Sequence, residues 1–387
     1  MERHLKGGPG ICAAVTFFYF GTAGIISTFY YMFLQQKVGL ELSEIGKVTS
    51  FGAVFSFAFQ PFLGYRYSMS RDKKTFIRLY FLGLILVLTG MILVTEKIIF
   101  LFAVLYGCIA LPMIGTYEIY LEEVCRQETI AYPRIRKWGS IGMGTVTLLG
   151  GSIISAFSFT GFDLLGIFFL IICIAAVSIC FPVLHIRGGK EKTAFVDMFR
   201  PRYIKPLYLV CFLGMGSYVG SDFAFSTYLT ELCSTVEKAN RIFSLSSGTK
   251  IFLEFVFFII VGKFIRRFRI KRIFLSVFLI SFFRFALIAT GFVPAVVLGD
   301  LLHCIVFPVF LTVIFDYLHA IVDDRLTAGC YSIISMLMFG VSNLVFPLLL
   351  SWIEGQLGFR VMYVADCIFA LTAAAAGWGM LPEAERI

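Results

Sequence analysis

Charge is scarce in this chain. Asp, Glu, Lys and Arg make up 15% of its 387 residues, against about a quarter in soluble domains, while 59% are hydrophobic and the mean hydropathy is +0.89. These values exclude a soluble globular enzyme or binding module. Histidine is scarcer still: His4, His185, His303 and His319 are too scattered in sequence to suggest a metal cluster. Nine of the ten cysteines, all but Cys233, fall within or beside apolar runs at irregular spacing, so neither a disulfide framework nor a metal motif is indicated. No Ser/His/Asp set and no Gly-rich phosphate loop stands out. The sequence therefore predicts no catalytic residues, no metal and no cofactor. No cleavable leader is expected, because the first apolar run has the length of a full span and no clear small-residue cleavage site follows it.

What it has is apolar length. A membrane helix needs about 20 mostly apolar residues, and the charged clusters cut the chain into roughly twelve such runs: about 10–35, 44–65, 76–95, 98–120, 137–158, 162–185, 206–230, 243–262, 273–292, 294–317, 326–350 and 359–380. Small residues within them, such as Gly139, Ser140, Gly142, Gly144, Gly150 and Gly151, let helices approach closely in lipid. The formal charge of +9 does not point to nucleic acid, because the cations recur at every second loop instead of gathering on one polar domain. Arg3 and Lys6, Arg66 to Arg78, Arg126 to Lys137, Arg187 to Lys205 and Lys263 to Arg272 alternate with cation-poor loops. That alternation places both termini in the cytoplasm.

The longest polar stretch lies near the midpoint. It divides the chain into a six-helix bundle over 1–185, a cytoplasmic linker over 186–204 and a second bundle over 205–387. An internal repeat supports the division. Gly64 precedes Lys73 and Lys74 by nine and ten residues, and Gly262 precedes Lys271 and Arg272 by the same offsets, each set at the loop between the second and third helix of its half. The expected fold is all-α and integral to the membrane, with twelve transmembrane helices in two bundles related by a pseudo-two-fold axis. This is the plan of the major facilitator superfamily.

Ionisable residues at bilayer depth cost about 2.5–3.5 kcal/mol each on insertion scales and are functional candidates by default. At about 1.5 Å per residue, Glu254 lies about 15 Å into its run, Arg284 about 17 Å and His303 about 14 Å. Asp222 and Asp300 are also deep. These five groups read either as a structural ion pair with a satisfied histidine, or as a proton or substrate relay. The abundant aromatics, Tyr117, Tyr120, Phe17 and Phe18 among them, read as packing.

The run from Tyr117-Glu118 through Glu122, Val124, Arg134, Arg136, Trp138 and Gly139 resembles the lactose permease and its oligosaccharide:proton symporter relatives. Tyr19, Phe20, Gly24, Gly46, Gln60, Pro61, Gly64, Tyr218, Asp222, Arg284, His303, Pro308, Tyr331 and Gly358-Phe359 also fall in order on that family's pattern. The resemblance implies that Glu118 and Arg136 hold sugar hydroxyls, with Tyr19, Trp138 and Met143 at the substrate site. It further implies that Tyr218, Asp222, Arg284 and His303 belong to a proton-coupling network, to which the buried acids Glu254 and Asp300 are added. The gating loops would contain Gly64, Ser68, Lys73 and Lys74 in one half and Gly262 and Lys271 in the other.

The departures from that pattern are specific. Ser68 replaces the loop aspartate, and Met143 replaces the tryptophan that stacks on a galactosyl ring. Val219 and Phe339 replace a buried acid and base pair together, and Asp300 replaces the lysine partner of the helix 7 aspartate. Val306 and Ile251 stand where the family has glutamates, with Glu254 close to one turn beyond Ile251 on the same face. The sequence therefore predicts a monomeric carrier of the cell membrane, with the bilayer, a small solute and protons as partners and no nucleic acid. Its expected activity is proton-coupled uptake of a sugar-like solute by alternating access. Nucleoside or aromatic-acid transport, efflux of apolar compounds and a non-transporting sensor are the alternatives.

Overall fold

The computed structural model describes residues 5, 7–70, 72–130, 132–182, 198–264 and 268–383, and every regular element among them is helical. In chain order, α1 is Gly8–Thr28, prolonged by Tyr30–Phe33 and Leu34–Val38, α2 is Leu42–Met69, α3 is Lys73–Leu93 and α4 is Glu96–Gln127. A continuous stretch, Tyr132–Cys180, breaks at Ser158, where φ is 59° and ψ 176°, into α5 (132–157) and α6 (159–180). Then follow α7 Ile204–Leu232, α8 Val236–Phe264, α9 Ile270–Ala289, α10 Val293–Ile321, α11 Gly329–Leu357 and α12 Phe359–Met380. Among the described residues, nine stretches are long and apolar enough to cross a membrane, with α5 and α6 taken together as one. Neither α2, with Glu44, Lys47 and Arg66, nor α8, with Glu237, Lys238, Arg241, Lys250 and Glu254, is among the nine. Outward faces carry the apolar stripe expected of contact with lipid. On α3, Leu79, Leu86 and Leu93 are each more than half exposed, at seven-residue intervals.

The chain turns back on itself at Ser158. A methyl placed on Gly21 of α1 would lie 3.2 Å from Val146 and 3.3 Å from Phe169, residues on opposite sides of the break and nearly equidistant from it. Only a helical hairpin brings both to one point. Lipid is as apolar as leucine, so helices in a bilayer associate through close packing and not through exclusion of water. The glycines of α5 provide it: a methyl on Gly142 would collide with the Phe17 carbonyl of α1, and one on Gly139 would meet the Phe20 ring.

Contacts group the chain into two units. The first comprises Met1–Glu41, Phe51–Gly189 and Thr235–Phe252, and the second Leu42–Ser50, Lys190–Ser234 and Leu253–Ile387. The first turns of α2 and α8 thus cluster away from the halves to which chain order assigns them. In the second unit, Gly46 of α2 lies against the Pro347 carbonyl and Ser351 of α11. In the first, the Gly151 N–H donates to Ser244 Oγ at 2.7 Å, and Gln36 and Asn240 exchange amide hydrogen bonds at 2.7 and 3.0 Å. Most of the expected linker, 186–197, lies outside the described residues.

Each unit also fastens the start of one helix to the end of another with a lysine. Lys74 Nζ donates to the Phe181 carbonyl at 2.8 Å, just past α6. Lys271 Nζ donates to the carbonyls of Trp378 at 2.9 Å and Leu381 at 2.7 Å, at the end of α12. Unpaired carbonyls and the negative end of the helix dipole make helix C-termini good sites for a cation.

Candidate functional site

In the first unit, α4 and α5 bring together the acid and base that the family resemblance pairs. Arg136 Nε donates to Glu118 Oε1 at 2.8 Å, and Arg136 Nη1 to Ser140 Oγ one turn on at 3.4 Å. The guanidinium lies over the Phe20 ring of α1 at 4.1 Å. Gly139 makes room for that ring, so a sequence feature read as helix packing also orients the arginine. About a third of the Glu118 side chain and slightly less of Arg136 remains exposed, which leaves acceptor and donor capacity for a further ligand.

The other expected substrate residues divide. Met143 is seven residues beyond Arg136, about two turns along the same face, and packs on Gly24 of α1. Trp138, two residues from Arg136, lies on the opposite side of α5 and is 41% exposed. Tyr19 is fully buried, stacked on Tyr117 at 4.1 Å, with its hydroxyl donated to the Met113 carbonyl at 2.6 Å. Tyr19 is thus held by packing and by the Met113 carbonyl, within electrostatic reach of Glu118, and Trp138 stands on another face of the helix from Arg136.

The second unit gathers all six expected coupling residues. Arg284 of α9, 2% exposed, directs Nη2 to Asp222 Oδ1 at 3.2 Å and to Asp300 Oδ1 at 3.6 Å. Its guanidinium stacks on the Tyr218 ring at 4.2 Å. The Tyr218 hydroxyl is 2.6 Å from His303 Nδ1, and His303 Nε2 is 3.7 Å from Glu254 Oε2. The result is a continuous path Asp222/Asp300–Arg284–Tyr218–His303–Glu254. Helix breaks hold its members: α7 tightens to a 3-10 turn at Asp222–Ala224, and α10 interrupts at Leu302, immediately before His303. Irregular backbone at such sites is where transporters place ligands and ions.

Three acids that sequence reading left unassigned to a site belong to the polar interior. Asp366 of α12 is completely buried, with both carboxyl oxygens lacking a hydrogen-bond donor. Asp163 of α6, 1% exposed, likewise has no donor, and Lys37 is the charge that acts on it. Glu123 pairs with Lys73 at 2.7 Å and accepts from Tyr67. Each of these acids stands near the end of an apolar run, where sequence depth alone reads as interfacial.

The expected gating loops also differ from what the structure contains. Gly64 and Ser68 lie inside α2, which continues to Met69, and Gly262 lies inside α8. The α2–α3 connection shrinks to 70–72 because nothing breaks α2 earlier and Asp72 caps α3 through Thr75 N–H at 3.0 Å. Lys73 is the buried partner of Glu123, and Lys74 and Lys271 are the staples at the ends of α6 and α12.

An all-helical chain with lipid-facing stripes and charged groups buried at helix breaks is a polytopic membrane transport protein. It belongs to the MFS_1 like family, whose profile matches residues 11–349. The chain is 24% identical to the sucrose permease of Escherichia coli over 347 residues, covering 83% of this chain and 81% of the permease. Among solved structures it is similar to a mutant of the nucleoside transporter NupG, with TM-score 0.83 and 16% identity over 97% of this chain and 100% of that one. It is also similar to a bacterial homolog of the human lysosomal transporter Spinster in an inward-facing, unoccupied conformation, with TM-score 0.69 and 14% identity over 97% of this chain and 98% of that one. These relatives are transporters, not enzymes.

Proposed function

We propose that the protein is a proton-coupled carrier for a small, hydroxyl-bearing solute of the sugar class, working by alternating access in the cell membrane as a monomer. The reading takes α5 and α6 as separate crossings and adds α2 and α8 as polar-walled ones. That gives twelve spans, two halves over 1–185 and 205–387, and cytoplasmic termini in agreement with the cation pattern. The observation that carries it is the Glu118–Arg136 pair. A carboxylate accepts from hydroxyls, a guanidinium donates in a fixed plane, and the Phe20 ring under that plane keeps it from collapsing onto one rotamer-dependent contact. The likeness to a sucrose permease supports a sugar over other polar solutes. The Arg284 cluster supplies acids and a histidine for moving a proton.

The test is thermal stabilisation of the purified protein by a panel of mono- and oligosaccharides, nucleosides and aromatic acids, repeated with Arg136→Ala. Ligand at about 100 times its Kd stabilises the native state by about 2.7 kcal/mol, a shift that such an assay resolves. A sugar that stabilises the native protein and not Arg136→Ala is the expected result. Stabilisation by nucleosides alone would replace the solute class, and a sugar response intact in Arg136→Ala would remove Arg136 from the site.

A further inference from the structure

The buried acids around Arg284 outnumber the cation they face. Were Asp222, Asp300 and Asp366 all ionised, one guanidinium would stand among three carboxylates at a depth where uncompensated charge is costly. At least one of the three must carry a proton, and the geometry ranks them. Asp222 takes the Arg284 contact at 3.2 Å and is 40% exposed, and Asp300 takes the second contact at 3.6 Å. Asp366 is fully buried, and neither of its oxygens has a donor. The Ser221 hydroxyl lies within reach of it but donates its proton to the Tyr218 carbonyl at 3.2 Å. An ionised carboxylate cannot stay there without a hydrogen bond, so this is where the proton resides.

Arg284 carries the complementary feature. Its Nε and Nη1 are buried and make no hydrogen bond, while Nη2 alone serves Asp222 and Asp300. Two unused donors on a guanidinium and two unused acceptors on a carboxyl within its electrostatic reach match a pair not formed in this state. The groups facing Asp366 are Arg284 of α9, Asp222 of α7, and its own neighbours Tyr363 and Cys367 on α12. None of the others can supply a positive charge.

We propose that Asp366 is the coupled-proton site of this carrier, binding the proton as a neutral carboxylic acid and, on losing it to water, taking Arg284 Nε and Nη1 as its partners. Among the described residues, no group of three His, Cys, Asp or Glu side chains could hold a metal ion, and the sodium arm of the test below separates a proton from an alkali cation. The coupling role rests on the transport reading above, whereas the protonation itself does not, and the two parts of the test separate them.

First, infrared spectra of the purified protein at neutral pH are compared without any solute. A buried carboxylic acid C=O band with a component from Asp366 beside that of Asp163 is expected in the native protein and in Asp222→Asn, and the Asp366 component is expected to be missing from Asp366→Asn and kept in Asp163→Asn. Persistence of the whole band in Asp366→Asn would overturn the assignment whatever the protein transports. Second, in proteoliposomes with the solute found by the stabilisation panel, Asp366→Asn mimics the protonated acid. It is expected to retain solute exchange while losing accumulation driven by an imposed pH gradient and losing solute-induced alkalinisation. PH-driven accumulation equal to the native protein's, or accumulation driven by sodium alone, would overturn the coupling role. Asp300→Asn, which keeps Asp366 intact, is expected to keep the infrared band.

Discussion

Replacing Lys73 by methionine tests whether the polar contacts inside the first unit bear on its stability. Lys73 and Glu123 meet at 2.7 Å with only 8% and 10% of their side chains exposed, and Tyr67 both donates to Glu123 and lies under the ammonium at 4.8 Å. Lys73→Met keeps the stem and removes the charge. Stripping one partner from a buried pair costs about 3–5 kcal/mol, chiefly because the other charge remains uncompensated. The Tyr67 hydroxyl still donates to Glu123, and a hydrogen bond to a charged group contributes about 1.5–3 kcal/mol, so the low end of that range is expected, about 3 kcal/mol. Glu123→Gln alone leaves the ammonium over the Tyr67 ring and should cost less. The double variant restores neutrality and should be more stable than the sum of the two single effects by about 1.5 kcal/mol or more. Denaturant unfolding of the four purified proteins in one detergent measures the cycle. A Lys73→Met effect within about 0.5 kcal/mol of zero, the size of an ordinary surface change, would refute the reasoning. So would strict additivity in the double variant.

Two further substitutions test the helix packing and the α3 cap. Gly142→Ala would drive a methyl into the Phe17 carbonyl and separate α1 from α5, with an expected cost of about 1–3 kcal/mol. Gly115→Ala on α4, where nothing lies within 4 Å, is the control and should be neutral or slightly stabilising in the same thermal unfolding assay. Asp72→Ala removes the cap that receives Thr75 N–H at 3.0 Å and Thr75 Oγ1 at 2.6 Å, and should cost about 1 kcal/mol. Burial pushes the Asp72 carboxyl up, but the two Thr75 bonds and the Arg78 charge outweigh it and hold the group below its ordinary value. That part of the cap's stabilisation is therefore present above the unfolded-state value and is lost as pH falls through the folded one. The gap between Asp72→Asn and the native protein should accordingly close in acid.

The membrane class and the helical runs were legible in the sequence because apolar length leaves a local signature, whereas the Glu118–Arg136 pair was legible through the family resemblance. Hydropathy alone would have put that pair at the membrane boundary, and only the family resemblance drew it into a site. Asp366 and Asp163 were not legible for the opposite reason. Each lies a few residues from the end of an apolar run, and what makes it unusual is the lack of any donor in three dimensions, which no window of sequence contains. Ser158 was equally silent: a serine in the left-handed region between two helices is set by tertiary packing, as Gly21 shows by touching both arms of the hairpin.

The internal repeat, which the sequence suggests at an offset of 198 with Lys73 opposite Lys271, is one residue shorter in the structure. The offset of 197 residues that carries Lys74 to Lys271 also carries Phe181 to Trp378, so both ends of the lysine staple recur. The same offset takes the start of α3 to that of α9 and the start of α4 to that of α10. Applied to the acids and arginines of the two polar sites, it finds apolar residues. Glu118 and Arg136 map to Phe315 and Ile333, while Asp222, Arg284, Asp300 and Asp366 map back to Ile25, Val87, Ala103 and Phe169. Ile25, Val87 and Ala103 are fully buried apolar residues. The lysine staple, which holds helix ends together, survives in both halves, whereas the Lys73–Glu123 pair, also structural, maps to Ile270 and Ala320 and stands in one half only. Since a buried charge is a cost wherever it serves no purpose, the other half holds hydrocarbon at the same place. Failure of the repeat at an ionisable residue therefore marks a charge that serves one half only, and burial without a partner separates those that bind from those that brace. By that criterion Asp366, which depth passed over, stands apart from the Lys73–Glu123 pair.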